Sequence, residues 1–114
     1  MLNTSVMRPA GKTYRLNLTT AASATLLIEE SRTNDQTNLV SLLNTGTGVA
    51  AVELANASGS IVSPTVATTG TAGSFILPAA MTYPMLIAAP PAPFYIKAKS
   101  TGTNALFITP VEVG

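Results

Sequence analysis

Three residue types that carry much of protein chemistry are missing from this chain, which has no histidine, no cysteine and no tryptophan. Without histidine, the chain lacks the commonest general base, the base of the usual catalytic triads and the commonest metal ligand. Without cysteine, neither a disulfide framework nor a thiolate metal site can form. Stability therefore has to come from packing alone.

Carboxylates are the remaining acid–base groups, and their placement does not suggest a catalytic pair. Glu29 and Glu30 are neighbours at the end of a predicted strand, so their side chains point to opposite faces. Glu53 and Glu112 belong to separate elements, and nothing in the sequence brings them together. We therefore predict that the chain is not an enzyme and uses no cofactor.

One oxygen-rich cluster could attract a calcium ion, which prefers carboxylate and amide oxygens. It consists of Glu29, Glu30, Asn34, Asp35 and Asn38. Solvated turn residues explain the cluster more simply, because such polar residues concentrate in turns. No metal site is predicted.

Charge is scarce, since charged residues make up only 10% of the chain and the net charge is +1, whereas a typical soluble domain has about 25%. Such a surface is either covered in the working assembly or kept soluble by Thr, Ser and Asn. The basic residues are scattered: Arg8, Lys12, Arg15, Arg32, Lys97 and Lys99. Nucleic-acid binding needs a concentrated basic face, so no direct nucleic-acid partner is predicted.

The most apolar stretch, residues 78–96, contains prolines at positions 84, 90, 91 and 93. Because proline breaks a helix, this stretch is not expected to cross a membrane as one. Residues 1–16 lack the continuous apolar segment of a secretory signal. The sequence therefore predicts no signal peptide and no membrane partner.

From Thr13 onward, apolar and polar residues alternate with the period of half-buried strands, most clearly in residues 14–18 and 94–99. Further strands are predicted at 24–29, 39–43, 49–54, 74–77, 84–88 and 105–109. No apolar pattern has helical spacing over more than one turn, so minimal helix is expected. About seven or eight short strands predict an all-β, two-sheet β-sandwich, either jelly-roll or immunoglobulin-like.

Residues 1–12 have no sustained period and end in a Pro- and Gly-containing segment. They are predicted to form an extended N-terminal arm, and residues 13–114 a single sandwich domain. Within that domain, two Gly-rich turns have related sequences, NTGTG at 44–48 and STGTN at 100–104. Each lies between two apolar runs, so each is predicted to close a β-hairpin.

Four short motifs of turn and strand residues follow one another along the C-terminal two thirds of the chain: Asn44 to Gly48, Leu77 to Ala79, Phe94 to Ile96 and Ser100 to Thr109. In these motifs, the stretch from Leu39 to Gly114 resembles small virion proteins of tailed bacteriophages, especially capsid decoration or cement proteins. The resemblance implies a β-sandwich that binds the major capsid protein, often as a homotrimer at threefold-related positions. Such a protein stabilises the shell against the pressure of the packaged DNA.

The resemblance also implies a location and an interface. The chain would be made in the host cytoplasm and lie on the outer capsid surface of the virion, which it would contact through loops and a terminal arm. The implied interface residues are Met7, Arg8, Pro9, Lys12, Arg32, Pro90, Pro91 and Pro93. A frayed terminus is the alternative for residues 1–12, and a rigid connection is the alternative for the proline loop.

Two other functions stay open from the sequence. The first is a receptor- or carbohydrate-binding module of a fibre or spike, which would need exposed aromatic side chains. Most of the six aromatic residues are expected in the core, which leaves Tyr83 and Tyr95 as candidates. The second is a minor head–tail joining protein, which copy number per particle would distinguish from a decoration protein.

Overall fold

The computed structural model describes residues 7–9, 12–23, 25–28, 39–57, 59, 61–66, 70, 73–90 and 94–113. Nine strands lie in these ranges. They are β1 (Met7–Pro9), β2 (Tyr14–Leu18), β3 (Leu26–Ile28), β4 (Leu39–Gly46), β5 (Ala50–Ala55), β6 (Phe75–Leu77), β7 (Met85–Ala88), β8 (Phe94–Ser100) and β9 (Asn104–Val113).

The strands form where the sequence alternates between apolar and polar residues. Along β8, the side chains of Phe94, Ile96 and Ala98 are buried, and those between them are half-buried. Along β4, burial alternates in the same way from Leu39 to Thr45. Successive side chains of a strand point to opposite faces, so one face of each strand fills the core and the other faces outward.

The strands form two antiparallel sheets. The five-stranded sheet has the order β1-β9-β4-β7, and β2 also pairs with β9. Because β9 pairs with β4 along its other side, β1 and β2 follow one another along the same side of β9. The four-stranded sheet has the order β3-β8-β5-β6.

Apart from β1, the strands pair in nested order, the earliest with the latest, as along the two arms of one long hairpin. β2 pairs with β9, β3 with β8, β4 with β7, and β5 with β6. Two further pairings, β4 with β9 and β5 with β8, complete the sheets. This connectivity is that of a jelly roll. The predicted two-sheet sandwich is confirmed, and its topology is the first of the two alternatives.

The prediction of two β-hairpins is wrong. β4 and β5 lie in different sheets, and so do β8 and β9, so NTGTG and STGTN are the turns at which the chain crosses between sheets. Instead, β4 pairs with β9 in register over eight residues. Alternation shows that two strands flank a turn, but distant pairing decides whether those strands are neighbours.

The core lies between the two sheets and is mainly aliphatic. Its large buried hydrophobic side chains are Leu18, Ile28, Val40, Leu42, Val52, Leu77, Phe94, Ile96, Leu106 and Ile108. Phe94 is the only aromatic residue that is fully buried, and Phe75 and Tyr83 are exposed. The expectation that most aromatic residues lie in the core is therefore wrong, because leucine, isoleucine and valine side chains occupy most of that space.

The ladder between β9 and the N-terminal strands is interrupted between β1 and β2. Four residues (10–13) separate Pro9 from Tyr14, whereas only Thr109 and Pro110 separate their partners on β9. The hydroxyl groups of Thr13 and Thr109 lie 2.7 Å apart and link the two strands within this interruption. Proline lacks a backbone donor, so Pro110 is tolerated where the ladder is broken.

The two faces of β4 allow a matched test of the core. Leu42 is buried, whereas its neighbour Leu43 is half-buried on the outside. We expect Leu42→Ala to lower the free energy of unfolding by about 2–5 kcal/mol, and Leu43→Ala to lower it by about 1 kcal/mol. Urea denaturation measures both values, and equal losses would contradict this packing.

Candidate interaction surfaces

A buried polar network closes the end of the sandwich at which the chain crosses between the sheets. The amide nitrogen of Asn104 donates hydrogen bonds to the Asn44 amide oxygen (2.9 Å) and to the Gly48 carbonyl oxygen. The amide nitrogen of Asn44 donates to the carbonyl oxygens of Gly48 (3.0 Å) and Pro78 (2.9 Å). The Ser100 hydroxyl group donates to the Asn104 amide oxygen over 2.8 Å. The network therefore joins both crossings to the loop between β6 and β7.

The two crossing turns also contact each other through two hydrogen bonds between Val49 and Thr101. The Val49 N–H donates to the Thr101 hydroxyl oxygen, and the Thr101 N–H donates to the Val49 carbonyl oxygen, both over 3.0 Å. Gly48 lies where the two turns meet, and it leaves no room for a side chain because a Cβ there would lie 2.5 Å from the Ser100 hydroxyl oxygen. Gly46 has a φ of +110°, which favours glycine. The glycines of NTGTG are therefore required by close approach and by backbone conformation.

This polar network stabilises the fold, and its groups are not suited to acid–base catalysis. Its members are amides, a hydroxyl group and backbone carbonyls, none of which titrates near neutral pH. Within the described ranges, no three His, Cys, Asp or Glu side chains come close enough to hold a metal ion. The candidate calcium cluster at positions 29, 30, 34, 35 and 38 lies outside the described residues. In the part of the chain that the structure describes, no helix is long and apolar enough to span a membrane.

The outward side of the five-stranded sheet forms a surface that we call the sheet face. It consists of the outward-facing residues of β2, β4 and β9: Arg15, Asn17, Leu39, Ser41, Leu43, Thr45, Ala105, Phe107, Thr109 and Val111. Arg15 is its only charged residue. Solvent-facing sides of antiparallel sheets are usually polar, so this apolar content is unusual for a free surface.

A row of three cross-strand partners lies at the centre of the sheet face. Phe107 of β9 is in register with Arg15 of β2 on one side and Leu43 of β4 on the other. The Arg15 guanidinium carbon lies 5.7 Å from the centre of the Phe107 ring, and the Lys12 ammonium nitrogen lies 5.3 Å from the centre of the Tyr14 ring. Arg15 therefore lies at the β2 margin of an otherwise uncharged surface, whereas Tyr14 is in register with the buried Ile108 and faces the core side.

The outward side of the four-stranded sheet is different. Lys97 and Lys99 of β8 lie there, and Glu53 of β5 is in register with Lys97. The two lysines are two residues apart on β8 and therefore share one face of the strand. Three of the five charged side chains that the structure describes are therefore on this sheet, and the other two are Lys12 and Arg15.

The exposed large hydrophobic side chains among the described residues lie on edge strands and on the loops next to them. We refer to them together as the edge patch: Val62, Phe75, Ile76, Tyr83 and Leu86, with exposures of 62%, 43%, 38%, 80% and 40%. Phe75 and Ile76 are on β6, and Leu86 is on β7, which are edge strands of different sheets. Ile76 is in register with Ala51 and Leu86 with Ser41, so these two side chains face outward from opposite sheets.

The two remaining members of the edge patch lie on loops that are hydrogen-bonded to neighbouring segments a few residues away. Val62 precedes Thr65, whose N–H donates to the Ser74 hydroxyl oxygen over 2.9 Å, and the Ser74 N–H donates to the Thr65 carbonyl oxygen over 2.8 Å. Tyr83 is on the β6–β7 loop, where the Ala80 N–H donates to the Gly46 carbonyl oxygen over 2.8 Å.

The interface residues that the resemblance implies do not form a single site in the described chain. Met7, Arg8 and Pro9 form β1 against β9, with Arg8 opposite Glu112 in the register. Lys12 is exposed next to them, on the same edge of the five-stranded sheet. Pro90 is half-buried and follows β7, at the opposite edge of that sheet. Arg32, Pro91 and Pro93 lie outside the described residues.

The sequence analysis did not find the edge patch. Phe75 and Leu77 share one side of β6, but Leu77 is buried and Phe75 is 43% exposed, because β6 is an edge strand. The available signal was three consecutive large apolar residues in Phe75-Ile76-Leu77, of which at least one must face outward in a strand. Tyr83 is exposed, as an aromatic ligand site would require, whereas Tyr95 is half-buried.

The crossing turns can be tested with two glycines. Gly48→Ala is expected to lower the free energy of unfolding by about 1–3 kcal/mol, because its Cβ would collide with the Ser100 hydroxyl group and the Asn104 amide. Gly59→Ala is the control, since no atom lies within 4 Å of a Cβ there, and it should stay within about 0.5 kcal/mol of the unsubstituted chain. Urea denaturation of both variants provides the comparison, and unchanged stability of Gly48→Ala would refute the tight contact.

Comparison of the chain with protein-family models, with curated proteins and with solved structures finds no match in any of the three. Arguments about function therefore depend on the residues and surfaces described above.

Proposed function

We propose that this protein is a non-enzymatic structural protein of a virion, which decorates the capsid and stabilises it by binding the major capsid protein. The observation that carries the proposal is the sheet face, where Leu39, Leu43, Phe107 and Val111 face outward beside a single charged residue, Arg15. For a monomer in water, such a surface exposes apolar area without any benefit. A protein that binds another protein through this surface buries the apolar area and gains binding free energy.

The jelly-roll fold is compatible with this role but is not by itself evidence for it. Jelly rolls occur in viral capsid proteins and in lectins, and one fold can host many functions. The proposal therefore depends on the outer surfaces of the sandwich. The missing histidine and the non-titrating network at the crossings both favour binding over catalysis.

The sheet face suggests how the capsid would be recognised. Its apolar rows would lie against an apolar area of the capsid protein, and Arg15 would face a carboxylate at the margin of that area. Charge complementarity of this kind fixes orientation and excludes wrong partners more than it adds affinity. β1 extends the same sheet along β9, so residues 7–9 lie at the margin where such contacts would form.

The shell would be stabilised because the same contact with the capsid protein is repeated many times across it. A capsid presents the same binding site many times, so contacts of modest affinity add up when each copy bridges neighbouring capsid subunits. The homotrimer that the resemblance implies stays a prediction, as does the location on the outer capsid surface.

The proposal is tested by co-sedimentation of the purified chain with capsids, assembled without this protein, of the virus that encodes it. We expect the unsubstituted chain to bind and Arg15→Glu to weaken binding about tenfold or more, because a carboxylate would replace the cation on the sheet face. Lys97→Glu makes the same charge change on the other sheet and should bind normally.

Two results would count against the proposal. If the unsubstituted chain fails to sediment with these capsids, capsid binding is wrong. If Arg15→Glu and Lys97→Glu weaken binding equally, the contact is a general charge attraction and the sheet face does not make it.

A further inference from the structure

A small cavity opens to solvent on the outward side of the four-stranded sheet, next to β5. Its volume is about 220 Å³, and its described lining residues are Glu53, Val62, Ser63, Thr65, Gly73 and Ser74. Glu53 is in register with Lys97 of β8, so its side chain leaves β5 on the side away from the core. The cavity and the sheet face therefore lie on opposite layers of the sandwich.

The lining residues come from three segments of the chain, two of which are hydrogen-bonded to each other. The Thr65 N–H donates to the Ser74 hydroxyl oxygen over 2.9 Å, and the Ser74 N–H donates to the Thr65 carbonyl oxygen over 2.8 Å. Pro64, between Ser63 and Thr65, is buried. The cavity therefore lies between β5 and a segment that is joined to the residue before β6.

Four of the lining residues have oxygen atoms in their side chains. The Glu53 carboxylate only accepts hydrogen bonds, whereas the hydroxyl groups of Ser63, Thr65 and Ser74 both donate and accept. The Thr65 hydroxyl donates to the Ser63 carbonyl oxygen over 3.3 Å, so its lone pairs can still accept. The Ser74 hydroxyl accepts from Thr65, so its own proton can still be donated. A ligand that satisfies these groups needs donors and acceptors close together.

The same groups disfavour several other kinds of ligand. Glu53 is the only charged residue among the described lining residues, so its carboxylate would repel a phosphate. A calcium ion takes about six to eight oxygen ligands, usually with several carboxylates. An ammonium group offers no acceptor for the Ser74 proton, and Lys97 and Lys99 on the same side of the sheet oppose a cation. A neutral ligand with several hydroxyl groups avoids all three conflicts.

The size of the cavity and its apolar residue define the ligand further. Pockets for drug-sized molecules have roughly 300–1,000 Å³, so a cavity of about 220 Å³ takes a smaller group. Val62 is 62% exposed and offers methyl groups to the C–H groups of a ring. A hexose has hydroxyl groups around its ring and C–H groups on the ring faces, which matches this combination.

An aromatic side chain lies in the next row of the same sheet. Tyr95 is in register with Ala55, and this is the next outward-facing pair after Lys97 and Glu53. Tyr95 is half-buried, so part of its side chain is accessible. Aromatic side chains combine an apolar ring with a polar group, which suits contact with a sugar. A second sugar unit beside the cavity can contact Tyr95.

We propose that this cavity binds a neutral hexose unit of a glycan. The Glu53 carboxylate accepts hydrogen bonds from hydroxyl groups of the sugar, the hydroxyl groups of Ser63, Thr65 and Ser74 bind others, and Val62 contacts a face of the ring. The inference goes beyond the proposed function and is compatible with it. A chain bound to a capsid through the sheet face would present the cavity on its opposite side.

Binding of the full-length chain to an array of immobilised neutral and acidic glycans tests this proposal. We expect the chain to bind neutral glycans that contain hexoses. Glu53→Gln should weaken that binding about tenfold or more, because hydrogen bonds to a charged acceptor are stronger than those to an amide. Glu112→Gln is the control, since it removes the same charge from β9 of the other sheet, and it should bind normally. Circular dichroism checks that both variants are folded.

Nuclear magnetic resonance locates the bound sugar without any substitution. The methyl glycosides of glucose, galactose and mannose are titrated in turn into the isotope-labelled full-length chain. We expect at least one of them to shift the backbone amide signals of Ser63, Thr65 and Ser74 in a saturable manner. The amide signals of Leu43 and Phe107, on the sheet face, should stay unchanged.

The outcomes distinguish this inference from the proposed function. The inference is overturned if no neutral glycan binds, if acidic glycans bind more tightly than neutral ones, or if Glu53→Gln and Glu112→Gln weaken binding equally. Saturable shifts that are confined to another region, such as the loop around Tyr83, also overturn it. A chain that binds capsids but no neutral glycan leaves the capsid proposal standing. A chain that binds neutral glycans through Glu53 but does not bind capsids does the reverse.

Discussion

The hydrogen bond of 2.9 Å from the Asn104 amide to the Asn44 amide oxygen joins the two places where the chain crosses between its sheets. Both amides are buried, and a buried polar group without a partner costs about 1–3 kcal/mol. Gly48, Pro78 and Ser100 provide the further partners, and together they fix two turns and a loop. The same contacts therefore hold the two sheets together at this end of the sandwich.

The outer surfaces divide into parts with different chemistry. The four-stranded sheet has Lys97, Lys99 and Glu53 on its outside, as expected of a surface in water. The sheet face has one charged residue, Arg15 at its β2 margin, and Leu86 of β7, in register with Ser41, lies on the same outward side. Among the side chains that the structure describes, charge is therefore concentrated on the four-stranded sheet. The outward side of the five-stranded sheet suits a partner protein that offers an apolar area with a carboxylate at its margin.

Local sequence patterns predicted the strands but not their partners. Alternation placed β2 at residues 14–18 and β8 at residues 94–99, close to the observed limits, because one buried face is a local property. It could not show that NTGTG and STGTN cross between sheets, because pairing depends on residues far apart in the chain. Nor could it show that Phe75 is exposed, because nothing local marks β6 as an edge strand. Turn residues such as Asn104 became core residues only through packing.

The central claim is that this jelly roll works as a bound part of a virion surface. The most direct measurement is a high-resolution image reconstruction of the particle that contains the protein. The account predicts a copy number comparable with that of the capsid protein, a position outside the shell, and the row of Arg15, Phe107 and Leu43 against the capsid protein. A position on a fibre or at the head–tail junction, or a sheet face that is open to solvent in the particle, would contradict it.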